Sequence, residues 1–317
     1  MNDVFTKGRF EHNQPHTHIF HVPEELKIRL QDTKPCYLVG GRGSGKTSLL
    51  KILDWRERVF NPRLQEALNS TPFQDKLIGI YLKLPENLLD TVGAWIEGFE
   101  TDQSSKIFGL YFELLWLEEA VTAVSYLAST RILDLNPNAQ SERLDRFFKS
   151  PDFYFLRSNR THETVPILDK GLALEIRKSR RRIEMMAILR EPLKMFFEEF
   201  PLINVGELGR SFADAMLGAP INGENWSFKI CLDEAEALSE LQQLTVNSIT
   251  RISRAPLSYV YSFVSTERDI TTTILPNLTV NLADCEIVDL ETSAAKDFQK
   301  LCEGVATARA RALIPEW

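Results

Sequence analysis

Cys36-Tyr37-Leu38-Val39-Gly40-Gly41-Arg42-Gly43-Ser44-Gly45-Lys46-Thr47-Ser48-Leu49-Leu50 reads as a short apolar strand, a glycine loop and the start of a helix, in that order. Residues 40 to 47 fit the phosphate-binding pattern G-x-x-x-x-G-K-[ST] at every fixed position. The glycines let the backbone turn so that several N–H groups face one point at the positive end of the following helix. Gly41, Arg42, Gly43, Ser44, Gly45, Lys46, Thr47 and Ser48 are therefore the expected phosphate contacts. Lys46 is expected to reach the β- and γ-phosphates, and the Thr47 hydroxyl to coordinate Mg²⁺. The plain alternative is a glycine-rich turn ahead of a helix.

A chain of 317 residues can bury a substantial core without staples. Its 37 basic and 44 acidic residues give a net charge of -7, so any nucleic-acid contact must be a local patch. Cys36, Cys231, Cys285 and Cys302 lie far apart with no C-x-x-C pair, a pattern of reduced thiols in a cytoplasmic protein. The most apolar window, 107 to 127, is broken by Glu113, Glu118 and Glu119 and reads as a buried helix, not a membrane span.

A second acidic motif narrows the chemistry. Trp226-Ser227-Phe228-Lys229-Ile230-Cys231-Leu232-Asp233-Glu234 is an apolar strand launched from an Asn222-Gly223 turn and ending in adjacent carboxylates, a Walker B pattern. Asp233 is expected to hold Mg²⁺ and Glu234 to polarise the attacking water. Both acids would also suit the N-terminus of the helix read from Ala235 to about Arg254.

The alternating segment from Leu257 to Thr266 is the next strand; Ser265 or Thr266 at its tip is a candidate γ-phosphate sensor, with Arg268 just beyond, or an ordinary strand-to-loop transition. Arg251 and Arg254 either serve as arginine fingers for a neighbouring subunit's γ-phosphate or stabilise a helix end. With no LSGGQ-like signature, no lysine in Asn281-Leu282-Ala283-Asp284 to read guanine, and none of the close-set arginines of a small-molecule kinase pocket, ATP is favoured over GTP.

On the loop, on Leu232-Asp233-Glu234-Ala235-Glu236 and on the stretch from Arg254 and Pro256 to Ser265, the chain resembles the AAA+ ATPases. Within them it is similar to the origin-recognition and initiator branch that includes bacterial defence-associated proteins. The resemblance covers about half of the chain. It implies an α/β P-loop NTPase core of three layers and an ATPase that switches assembly or activates a partner effector, in bacterial antiviral defence. The alternative is an ATP-gated DNA-binding initiator or loader. It also implies ATP and Mg²⁺ as cofactors and a homo-oligomer with a protein effector, without a membrane role.

Two departures shape the expected domains. About 185 residues separate Lys46 from Asp233, so a large α-helical insertion is expected over 100 to 216, between core halves at 1 to 99 and 217 to 291. Leu77 to Leu82 reads as the next core strand; Glu86 to Leu133, Ser141 to Phe148 and Val165 to Phe200 read as helices. After the last strand, Glu286 to Leu290, residues 292 to 317 leave room for one helix, a truncated C-terminal lid, with Arg309 or Arg311 as a weak phosphate contact.

Three further clusters carry alternatives. Arg177, Lys178, Arg180, Arg181 and Arg182 suit a nucleic-acid backbone or a partner, or equally a solvated helix face paired with Glu175 and Glu184. His12, His16, His18 and His21 have a spacing compatible with metal, while the same segment, Phe20 to Val22, also suits an adenine pocket. The helix through Ile107, Phe108, Tyr111 and Trp116 is apolar on nearly all sides, which means buried packing or an interface.

Overall fold

In the computed structural model, residues 29–62, 64–65, 73–84, 86–156, 170–264, 271–274, 279–281, 283, 285–290 and 303 are described. The histidine cluster, Ser265, Thr266, Arg268, Cys302, Arg309, Arg311 and nearly all of the expected lid lie outside them. Five parallel strands form one sheet: β1 (Cys36–Val39), β2 (Leu77–Lys83), β3 (Ser227–Asp233), β4 (Leu257–Phe263) and β5 (Glu286–Asp289). Their order is β2-β3-β4-β1-β5, which sets β4 between the loop-bearing strand and the acidic one.

Side chains alternate across the strands, and the alternation gives the sheet two faces of different character. Towards one face point Cys36, Leu38, Cys231, Val260 and Val288, covered by α1 (Lys46–Leu53) through Leu49, Leu50, Ile52 and Leu53. Short α2 (Trp55–Phe60) follows directly. Gly79 of β2 lies on this face because a Cβ there would come within 1.9 Å of the Leu53 carbonyl oxygen, and the backbone of Asp54 bridges to it. Lys229 is fully buried on the same face, its Nζ donating to the carbonyls of Asp32 and Lys34.

The opposite face is apolar and aromatic, with Tyr37, Ile78, Ile80, Phe228, Ile230, Tyr259, Tyr261 and Phe263 buried under helices. Those helices lie almost wholly between β2 and β3: α3 (Glu86–Ile96), α4 (Thr101–Ser129), α5 (Pro137–Lys149), α6 (Lys170–Leu189), α7 (Leu193–Glu199) and α8 (Glu207–Leu217), with a 3-10 segment at Pro151–Leu156. α9 (Glu240–Ile252) joins β3 to β4. The chain is thus an α/β protein of helices on both faces of a parallel sheet, the arrangement of a P-loop NTPase core.

α4 lies between the sheet and α6, which explains why it is apolar all round: Ile107, Phe108, Tyr111, Phe112, Leu114 and Trp116 are all buried. Three helix readings are corrected. The described part of Val165 to Phe200 is two helices, α6 and α7, separated at residues 190–192 ahead of Leu193. The stretch from Glu86 to Leu133 is two helices, interrupted at residues 97–100, where Ser104 Oγ and the Phe99 N–H both bond the Ile96 carbonyl, and α4 ends at Ser129. The helix after Asp233 is a 3-10 turn, Ala235–Ala237, followed by α9, whose start is fixed where the Gln242 side chain accepts from the Ser239 N–H at 2.9 Å. Among the described residues, no helix is long and apolar enough to cross a membrane.

Candidate nucleotide site

The phosphate loop leaves β1 under restraint from both neighbouring strands. The Gly40 N–H continues the ladder to the Phe263 carbonyl at 3.2 Å, and the Ser44 N–H closes a turn on the Gly41 carbonyl at 3.2 Å. Gly45, at φ 91°, stands at the N-cap of α1, where no side chain caps the first turn. The helix therefore offers its backbone donors and the positive end of its dipole to an anion. Lys46 folds back along the loop, its Nζ donating to the Gly40 carbonyl at 2.5 Å and the Gly41 carbonyl at 2.9 Å. Ser44 Oγ is buried with no hydrogen-bond partner among the described residues. A triphosphate fits this donor set, which satisfies Ser44 and exchanges carbonyl oxygens for phosphate oxygens at Lys46.

Strand alternation carries the acidic residue to the same place. Asp233 is the last residue of β3 and points to the α1 face, where Thr47 Oγ1 donates to its Oδ2 at 2.7 Å across 186 positions of sequence. The carboxylate is 1% exposed and held from four sides. Tyr81 OH also donates to Oδ2, at 2.9 Å, while Ser262 Oγ at 2.5 Å and the Glu234 N–H at 3.1 Å donate to Oδ1. Buried negative charge is tolerated because every oxygen is hydrogen-bonded. A threonine hydroxyl and a carboxylate fixed side by side are the hard oxygen donors that Mg²⁺ prefers, so the residues present fit that ion.

Glu234 adopts the left-handed region, φ 59° and ψ 42°, a conformation that costs a non-glycine residue on the order of 1 kcal/mol and recurs at functional positions. The turn aims its side chain off the strand tip, where Lys83 Nζ meets a carboxylate oxygen at 3.3 Å. Both groups of that pair are more than a third exposed, so the contact orients more than it stabilises.

Tyr81, Lys83 and Ser262 are the residues that reading the sequence missed. Each sits near the end of an apolar strand at a position whose side chain falls on the α1 face, and that polar break in β2 and β4 was the available signal. Tyr81 is further fixed by Lys51 of α1, whose ammonium stands 3.9 Å from the ring centroid and 3.5 Å from an Asp54 carboxylate oxygen. Burial raises the Asp54 carboxyl from its ordinary 3.8 to about 6, partly offset by Lys51.

The structure does not bring Arg251 and Arg254 to the loop of their own chain. Arg251 lies in the last turn of α9 and Arg254 just beyond it, both exposed, at the end of the sheet where β4 begins. The 13 residues of α9 span about 20 Å away from the Asp233 end. Arg42 and Gly43 are exposed at the loop's crest, and Thr47 and Ser48 are half-buried in the first turn of α1.

The five basic residues of α6 lie outside this site. Arg177 pairs with Glu118 at 2.6 Å, Lys178 with Glu175 at 2.8 Å, Arg180 with Glu184 at 2.6 Å, and Arg182 with both Glu191 and Glu199. Among the described residues no acid pairs with Arg181. No group of three or more His, Cys, Asp or Glu that could hold a metal ion occurs among the described residues.

A family model described as ORC-CDC6-like matches residues 9–317, nearly the whole chain. No curated protein and no solved structure matches.

Proposed function

The chain belongs to the ORC-CDC6-like family, a group of AAA+ ATPases, and on that premise we propose that it hydrolyses ATP with Mg²⁺ at the junction of β1, β3 and β4. The observation that carries the proposal is the Thr47–Asp233 hydrogen bond, which joins the phosphate loop to the acidic strand tip in one site. The loop amides and Lys46 bind and orient the triphosphate, Lys46 leaving two carbonyls for phosphate oxygens. Mg²⁺ held at Thr47 and Asp233 would neutralise charge on the β- and γ-phosphate oxygens. Thr47 can offer an oxygen lone pair to the ion while still donating its proton to Asp233, which Tyr81 and Ser262 keep in register. Glu234 orients water for attack on the γ-phosphorus and takes its proton, which requires the pair with Lys83 to loosen.

Hydrolysis at such a site switches assembly or activates a partner effector, and the setting implied by the resemblance is bacterial antiviral defence. A shared site is compatible with Arg251 and Arg254: exposed and a helix length from their own loop, they would reach a γ-phosphate only on another copy. Phosphate release by the full chain with ATP and Mg²⁺ tests the reaction. Glu234→Gln is expected to bind nucleotide normally and lose turnover by at least about 100-fold. Turnover equal to that of the unaltered protein would overturn the assignment.

A further inference from the structure

We propose that the outward face of α6 is a docking surface for an acidic amphipathic helix of a protein partner. α6 buries one face, through Leu172, Ile176, Ser179, Ile183, Met186 and Ala187, against the helical layer. On the opposite face, at helical spacing, stand Leu174, Arg177, Lys178, Arg181, Met185, Ile188 and Leu189. Four of these seven are apolar and well exposed: Leu174 44%, Met185 45%, Ile188 55% and Leu189 61%. The other three are cations. Of the helix's own acids, Glu184 turns inward to Arg180 and Tyr111, and Glu175 pairs with Lys178 at the edge of the outward face.

The stripe, about 22 Å long, has Leu174 at one end, Met185, Ile188 and Leu189 at the other and Arg177, Lys178 and Arg181 between them, and is complementary to a helix of about 15 residues that carries apolar side chains and carboxylates on one face. Arg181, without an acid among the described residues, stands midway along the stripe and is the cation available to such a partner. A nucleic acid is the poorer fit, because a phosphate backbone gives four exposed apolar side chains nothing to bury against. A second copy related by two-fold symmetry would set cation against cation. The surface lies on the layer beyond α4 from the sheet, so the inference stands apart from the ATPase reading.

The test is fluorescence anisotropy of the full chain with a labelled 18-residue helical peptide carrying leucines on one face and glutamates beside them. The same peptide with lysines in place of the glutamates, and a labelled DNA duplex, complete the set. The acidic peptide is expected to bind about tenfold or more tighter than the basic one, and Met185→Asp or Arg181→Glu to weaken it by about tenfold each. Both side chains point outward, so an unchanged melting temperature shows that the variants are folded. Equal affinity for the two peptides, binding indifferent to both substitutions, or duplex binding lost on Arg181→Glu would each overturn the proposal. So would an unaltered chain that dimerises through this face and a Met185→Asp chain that does not.

Discussion

The two faces of the sheet use the same strands to opposite ends. Towards α1, strand tips carry Tyr81, Asp233 and Ser262, joined through the Asp233 carboxylate to one another and to Thr47, and Lys83, which pairs with Glu234. Towards α4 and α9 the same strands present Ile80, Ile230, Tyr259, Tyr261 and Phe263, which are buried in one continuous apolar cluster. Alternation by one residue therefore separates chemistry from cohesion. Substitutions at the polar strand tips of the first face should alter what the protein binds and turns over, whereas those on the second face, like those in the apolar part of the first, should alter whether it stays folded.

The largest expected effect is on the cohesive face. Phe228 is fully buried and stacks on Phe212 of α8 with ring centroids 6.1 Å apart, so Phe228→Ala should lower unfolding free energy by about 3–5 kcal/mol in a denaturant titration. Nucleotide affinity of the folded fraction should be unchanged; a loss of affinity at constant stability would erase the distinction between faces. Lys46→Ala should do the reverse, weakening ATP binding on the order of 100-fold by isothermal titration while the melting temperature stays put.

Tyr81→Phe removes one of the four hydrogen bonds on Asp233 and is expected to cost about fivefold in affinity for ATP in the presence of Mg²⁺, with metal-free affinity unaltered. An equal loss with and without the ion would make Tyr81 a packing residue only. A pH dependence sharpens the boundary between the layers. Glu113 of α4 is fully buried, accepts the Gly209 N–H of α8 at 2.8 Å, and has its carboxyl pushed by that burial from 4.5 up to about 8. Between those values the folded chain holds a proton at Glu113 that the unfolded chain releases, so the contribution of Glu113 to stability is fully present below pH 4.5 and is lost as pH rises to about 8. Glu113→Gln keeps an acceptor for the amide and should flatten that slope in melts across the range; an unchanged slope would remove Glu113 from the account.

How much of this was legible in the sequence follows the same division. The loop at 40 to 47 and the acids at 233 and 234 were readable because each is a local pattern whose chemistry is set by neighbouring residues. The roles of Tyr81 and Ser262 were not, because they depend on strand order: β4 had to lie beside β3, and β2 on its other side, before two hydroxyls could converge on Asp233. Composition pointed to α4 as a buried helix, yet the interruption at 97–100 was missed although Gly98 lies within it. Ser239 and Gln242, three residues apart ahead of a helix, spell a capping pair that would have placed the start of α9 correctly. The ion pairs that occupy most of the basic run on α6 needed Glu118, Glu191 and Glu199, which come from other elements.

The central claim is that Thr47 and Asp233 form one metal-assisted triphosphate site. Its most direct test is ATP affinity of the unaltered chain and of Asp233→Asn, each with and without Mg²⁺. The account expects the ion to tighten binding to the unaltered chain and to have little effect on Asp233→Asn, whose metal-free affinity stays the same. Equal Mg²⁺ enhancement in the two proteins would contradict it.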